Sequence, residues 1–208
     1  MEKTRPSLTL VLGGARSGKS TYAEALAGQL GERVLYVATA EPLDGEMQAR
    51  VVAHQARRPQ AWTTLEAPLD AAAALRGTSE SAGVEVVLLD CLTLLVSNIL
   101  LAAAASEDLP EPDATEVRSR VEAEIDALLA AYRELGMHLV IVSNEVGLGL
   151  VPPYPLGRTY RDCLGWANQA LAQAADRVIL MVAGLPLDLK ALSLAWLPGE
   201  PDAGEGGP

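Results

Sequence analysis

Cysteine, histidine and basic side chains are all scarce in this chain of 208 residues, which has two Cys, two His and 16 Lys and Arg against 27 Asp and Glu. Cys91 and Cys163 have no metal-ligand spacing. They exclude a disulfide framework and a thiolate metal cluster, and they read as small buried residues in a reducing compartment, the cytosol by default. A formal net charge of −11 excludes general attraction to nucleic acid or to an anionic membrane, so any anion site must be a local basic patch. The sequence also lacks an uninterrupted apolar span. Val86 to Ala105 imitates one, but Asp90 and Asn98 break it where charge and amide are costly in lipid, and the stretch reads as a strand followed by a helix. Residues Met1 to Pro6 run directly into the first apolar strand and leave no room for a secretory leader.

What is present is half hydrophobic, enough for one α/β domain with a sizeable core. The strongest local signal is Leu8 to Leu12 followed by Gly13, Gly14, Ala15, Arg16, Ser17, Gly18, Lys19 and Ser20. An apolar strand, a GxxxxGK[ST] loop and an alanine-rich helix from Thr21 to Leu30 form the phosphate-loop arrangement, Walker A. The glycines let successive N–H groups converge on phosphate oxygens, and the helix adds its N-terminal partial positive charge. Lys19 would reach the β- and γ-phosphates, and Ser20 would offer its hydroxyl to Mg²⁺. A plain Gly-rich turn is the alternative, and the complete spacing with both flanking elements argues against it. The loop points to a nucleotide without saying what is done with it.

Further along, strands are predicted at Arg33 to Ala38, Val84 to Asp90, His138 to Ser143 and Arg177 to Ala183. Trp62 to Glu66 reads as a short extended piece. Helices are predicted over 45–57, with Asp44 as N-cap, and over 69–76, 92–105, 114–135 and 160–175. The alternation implies a mostly parallel sheet with helices on both faces, an α/β P-loop NTPase (RecA-like) fold. Residues 1–196 form a single domain on this reading, and 197–208, rich in Pro, Gly and acids, a disordered tail. Asp90 closes an apolar strand in the Walker B manner and would hold the Mg²⁺ shell together with Ser20. Asn144 and Glu145 would line a substrate cleft or merely cap a turn.

On the helix predicted over 45–57, Arg50, His54 and Arg57 fall at steps of four and three residues, so two guanidiniums flank an imidazole on one face. This is the local basic patch that an acidic protein needs for a phosphate. A solvated histidine between surface arginines is the ordinary outcome of such spacing. The chemistry that would use it is nucleophilic attack on phosphorus by neutral imidazole, with the arginines stabilising the transferring group.

The run Gly13 to Ser20, then Val37-Ala-Thr-Ala40, Glu46-Met47, Arg50, His54, Arg58-Pro59, Trp62 and Glu66 resembles the bifunctional adenosylcobinamide kinase / adenosylcobinamide-phosphate guanylyltransferase family. The resemblance continues through Asp90-Cys-Leu-Thr93, Asn98, Val142-Ser-Asn-Glu-Val-Gly-Leu-Gly149, Val151-Pro152, Arg161-Asp162, Asn168-Gln169 and Ala183-Gly-Leu-Pro186, and it covers roughly residues 8 to 190. It implies phosphorylation of the aminopropanol hydroxyl of adenosylcobinamide by ATP or GTP. GMP then passes from GTP to that phosphate through a guanylylated histidine, giving adenosylcobinamide-GDP and pyrophosphate in cobalamin biosynthesis. His54, the one histidine in its matching segment, inherits the nucleophile's role, with Lys19 as the second catalytic residue. Ala38, Thr39, Ala40, Gln55, Ala56, Arg57, Arg58, Glu66 and Asp90 inherit nucleotide-site positions, Glu66 as an acceptor for the guanine edge. A cytoplasmic homotrimer with sites between subunits is also implied. Pro153-Tyr154-Pro155, the acidic stretch from Glu107 to Glu116 and the C-terminal tail depart from the shared pattern. The competing expectations are a P-loop small-molecule kinase without nucleotidyl transfer and a nucleotide-driven switch or assembly ATPase.

Overall fold

The structure, a computed structural model, describes residues 5–40, 59–78, 83–106 and 113–192. The helix predicted over 45–57 and the tail lie outside these residues. Seven strands, β1 (Leu8–Gly13), β2 (Val34–Ala38), β3 (Thr63–Glu66), β4 (Val86–Asp90), β5 (His138–Val142), β6 (Arg177–Val182) and β7 (Leu185–Asp188), form one sheet in the order β3-β2-β4-β5-β1-β6-β7. All pairings are parallel except that of β6 with β7. The described helices are α1 (Lys19–Leu30), α2 (Ala71–Gly77), α3 (Leu92–Ser106), α4 (Ala114–Leu135), α5 (Pro155–Ala174) and α6 (Leu189–Leu192). The expected mostly parallel α/β architecture is the one that forms.

The strands read as continuous apolar runs because both faces of a parallel sheet are covered, and alternate residues serve different layers. Val11, Tyr36, Leu88, Val140 and Val142 join Ala23 and Ala27 of α1 in one core. Leu10, Leu35, Leu89, Leu139 and Ile141 turn to the other face and pack with Leu92, Leu95, Val121, Ile125, Leu128 and Leu164 of α3, α4 and α5. Small alanines on α1 let that helix lie close to the sheet, which brings its N-terminus over the carboxyl end of β1.

Three local differences from the sequence expectation have physical causes. The helix expected from Tyr160 begins at Pro155, because proline fits the first helical position, where its missing N–H would have had no partner. The extended piece before Glu66 pairs with β2 as an edge strand. Leu185–Asp188, unassigned in the sequence, forms the antiparallel edge strand β7, where Pro186 is tolerated because an edge has a side without ladder bonds. Its turn, Ala183-Gly184, has positive φ at both positions (51° and 82°), the geometry of a two-residue hairpin.

Candidate active site

In open α/β sheets ligands sit beyond the carboxyl ends of the strands, and here the chemistry-bearing side chains collect along that edge. Gly13 ends β1 with φ 155°, and a Cβ there would lie 2.6 Å from Ser17 Oγ and 2.8 Å from the Met181 carbonyl oxygen. Only a residue without a side chain lets the loop fold back so tightly. Gly18, at φ 93°, then turns the chain into α1. The hairpin of β6 and β7 supports the loop from outside, since the Gly184 N–H donates to the Ser17 carbonyl at 3.0 Å. The Ser17 hydroxyl is buried and has no hydrogen-bond partner among the described residues.

Lys19 opens α1 and donates from Nζ to the Gly14 carbonyl at 3.0 Å, so its ammonium is folded back across the loop. Burial lowers its pKa, and Cys91 and Asp90 oppose that shift by attraction. The lysine and the carboxylate at the end of β4 therefore sense one another across the strand between them. Asp90 stands in register with Ala38 of β2 and Val142 of β5. The next residue is held by Thr39, which is fully buried. Its hydroxyl donates to the Cys91 carbonyl at 2.7 Å and accepts from the Cys91 N–H at 2.9 Å. Asn98 of α3 fixes Thr39 in turn, donating to its carbonyl at 2.9 Å. Burial, reinforced by the Asp90 charge, pushes the Cys91 thiol up to about 11, so it stays protonated and unreactive near neutrality.

The end of β5 is held by a second polar network. Ser143 Oγ donates to Asn168 Oδ1 at 2.7 Å, and Asn168 Nδ2 donates to the Asn144 carbonyl at 3.0 Å. The Asn144 N–H donates to Thr93 Oγ1 at 2.8 Å, and the Tyr160 hydroxyl donates to the Thr93 carbonyl at 3.3 Å. Thr93, Ser143 and Asn168 are all buried.

Of the residues singled out in the sequence, Gly13, Gly14, Ala15, Arg16, Ser17, Gly18, Lys19, Ser20, Ala38, Thr39, Ala40 and Asp90 belong to this edge. Arg16 is exposed and has φ 58°. Glu66 is exposed and shares a row with Ala38. Four strand spacings of about 4.8 Å, roughly 19 Å in all, separate β3 from β1, so Glu66 is far from the phosphate loop. Arg50, His54, Gln55, Ala56, Arg57 and Arg58 lie outside the described residues. Unforeseen in the sequence were the bracing turn at Gly184 and the Asn168 network, which depend on contacts between distant segments. Among the described residues no group of three or more His, Cys, Asp and Glu could hold a metal, and no helix is long and apolar enough to cross a membrane.

A glycine loop between an interior strand and a helix N-terminus, on a mostly parallel sheet, places the chain among the P-loop nucleotide-handling proteins. Comparison with known proteins narrows the class. Residues 9–189 match the family model described as cobinamide kinase / cobinamide phosphate guanyltransferase. The bifunctional adenosylcobalamin biosynthesis protein CobP of Pseudomonas aeruginosa is 48% identical over 181 residues, 87% of this chain and 96% of that protein. The CobU proteins of the same description from Salmonella typhimurium and Escherichia coli are each 42% identical, over 88% of this chain and 99% of their own length. The chain belongs to the cobinamide kinase / cobinamide phosphate guanyltransferase family.

Proposed function

We propose that this protein phosphorylates adenosylcobinamide and then guanylylates the product, with one phosphate loop serving both steps. The observation that carries this reading is the pairing of the Gly13–Ser20 loop with Asp90 across β5, in a chain matched to the family over residues 9–189. In the first step the aminopropanol hydroxyl attacks the γ-phosphorus of ATP or GTP. Its O–P bond forms as the bond to the bridging oxygen breaks, its proton passes to solvent, and the nucleoside diphosphate leaves. Lys19 and the loop N–H groups neutralise the charge that grows on the departing phosphates.

In the second step His54 attacks the α-phosphorus of GTP, forming an N–P bond and releasing pyrophosphate into the same loop. An oxygen of adenosylcobinamide phosphate then displaces the imidazole, which restores His54 and yields adenosylcobinamide-GDP. Gln55, Ala56, Arg57 and Arg58 would hold the nucleotide around that histidine. Glu66, so far from the loop, would serve the guanine end and not the phosphates.

Mg²⁺ suits the oxygen donors present. Ser20 and Asp90 provide one hydroxyl and one carboxylate, and Mg²⁺ commonly takes one or two carboxylates together with substrate phosphates and water. When bound it would supply charge neutralisation at the phosphates. A cytoplasmic homotrimer with sites between subunits completes the proposal.

The test is double labelling. With adenosylcobinamide and GTP, label from the γ-phosphate should appear in the corrinoid monophosphate, and among the corrinoids label from the α-phosphate should appear only in the later GDP-linked product. Turnover of GTP at full rate without any corrinoid would contradict the proposal and favour a nucleotide-driven switch.

A further inference from the structure

The steps above leave one polar group at the sheet edge without a task. β5 lies between β4, which carries Asp90, and β1, which feeds the phosphate loop. Neighbouring strands are about 4.8 Å apart, so the chain leaving β5 emerges between the two. Its backbone is tied down there. Asn144 donates its N–H to Thr93 Oγ1 at 2.8 Å, its carbonyl accepts from Asn168 Nδ2 at 3.0 Å, and the Glu145 N–H donates to the Gly13 carbonyl at 3.3 Å.

Side chains leaving a strand alternate between its faces. Ser143 turns toward α5, where it meets Asn168. Carried on beyond β5, which ends at Val142, the same alternation assigns Asn144 to the other side, the one Val142 shares with Ala23 and Ala27 of α1, the helix that Gly13–Ser20 leads into. Among the described residues, Asn144 Oδ1 is buried without a hydrogen-bond partner, and so is Ser17 Oγ in the loop itself. Buried polar atoms nearly always have partners in native structures. Two such orphans, one in a loop of phosphate-binding type and one just past the end of the strand beside it, are groups that a polar ligand would satisfy.

We propose that Asn144 is a catalytic residue of the phosphoryl-transfer step, its side-chain amide donating to a non-bridging oxygen of the terminal phosphate. The entering group is a polyanion, so the amide presents its NH₂ end, and a half-turn about its last torsion exchanges nitrogen and oxygen. The backbone anchors hold the amide still while charge develops on the phosphoryl oxygens, and a donor already in place at that moment is worth most. This assignment rests on the kinase step proposed above.

The experiment compares Asn144→Ala and the near-isosteric Asn144→Asp with the unaltered full-length protein. Affinities for GDP and for a non-hydrolysable GTP analogue are measured by titration, and phosphoryl transfer to adenosylcobinamide at saturating nucleotide. Because the fold-bearing bonds are main-chain ones, melting temperatures should match the unaltered protein. GDP should bind within about twofold, the triphosphate analogue about tenfold more weakly, and kcat should fall about 100-fold. The Asp variant should fall further because it adds a negative charge. Equal weakening of diphosphate and triphosphate, or a rate within about threefold of the unaltered protein, would overturn the assignment. If the unaltered protein itself transfers no phosphate to adenosylcobinamide, the proposed reaction fails, while the ratio of triphosphate to diphosphate affinities still decides the role of Asn144.

Discussion

Thr39 illustrates how much a single side chain can determine at this site. Its hydroxyl closes a two-way bridge onto the backbone of Cys91, one residue beyond Asp90, so it sets where the carboxylate stands. Thr39→Val keeps the shape and leaves a buried N–H and carbonyl unpaired, a loss of about 1–3 kcal/mol. Urea unfolding should show that loss, and nucleotide affinity should weaken with it as Asp90 shifts. The sequence marks Thr39 only through family resemblance, because no local pattern reveals that its partner is a backbone 52 positions away.

His138 acts at the opposite end of the sheet. Both the Ser7 N–H, at 3.2 Å, and the Ser7 hydroxyl, at 2.9 Å, meet its Nδ1, which accepts only while the imidazole is neutral. Burial lowers its pKa below 6.5. The unfolded chain therefore binds the extra proton first as pH falls, and stability declines from about pH 6.5 down to the folded-state pKa, below which this contribution is exhausted. The urea midpoint should drop between pH 7 and pH 5, and His138→Gln should flatten that slope.

At the scale of elements, one amide of α5 ties down the chain as it leaves β5. Asn168 accepts from Ser143 Oγ and donates to the Asn144 carbonyl, so Asn168→Ala orphans a buried hydroxyl and loosens a strand end beside the phosphate loop. A loss of about 2 kcal/mol in chemical denaturation is expected, together with slower phosphoryl transfer, whereas the Asn144 variants should change rate with little effect on stability. The strands and long helices were legible because apolar periodicity is local. α4 shows this well, with Asp113 accepting from the Thr115 N–H at 2.8 Å and Gly136 closing the last turn at φ 61°. The hairpin of β6 and β7 was not legible. Leu185–Asp188 is four residues with a proline, too short for a period, and its task of bracing Ser17 through Gly184 exists only in three dimensions. The early start of α5 was obscured in the same way, by prolines that punctuate loops and also begin helices.

For the whole molecule, the sheet order explains how an acidic chain handles a polyanion. With a net charge of −11, attraction has to be local. The N-terminus of α1, the loop N–H groups and Lys19 supply it at the carboxyl end of β1, and the guanidiniums of Arg50, Arg57 and Arg58 extend it around His54 on the proposed reading. The phosphate loop by itself announces transfer of a terminal phosphate. On the proposed reading His54 adds attack at the α-phosphorus and turns one nucleotide site to two reactions, so the central claim concerns that residue. Intact mass after incubation with GTP and Mg²⁺, in the absence of corrinoid, tests it most directly. The account predicts an acid-labile adduct of one GMP per chain, mapped by peptide analysis to His54 and absent from His54→Ala. An unmodified chain, or an adduct that survives His54→Ala, would contradict it.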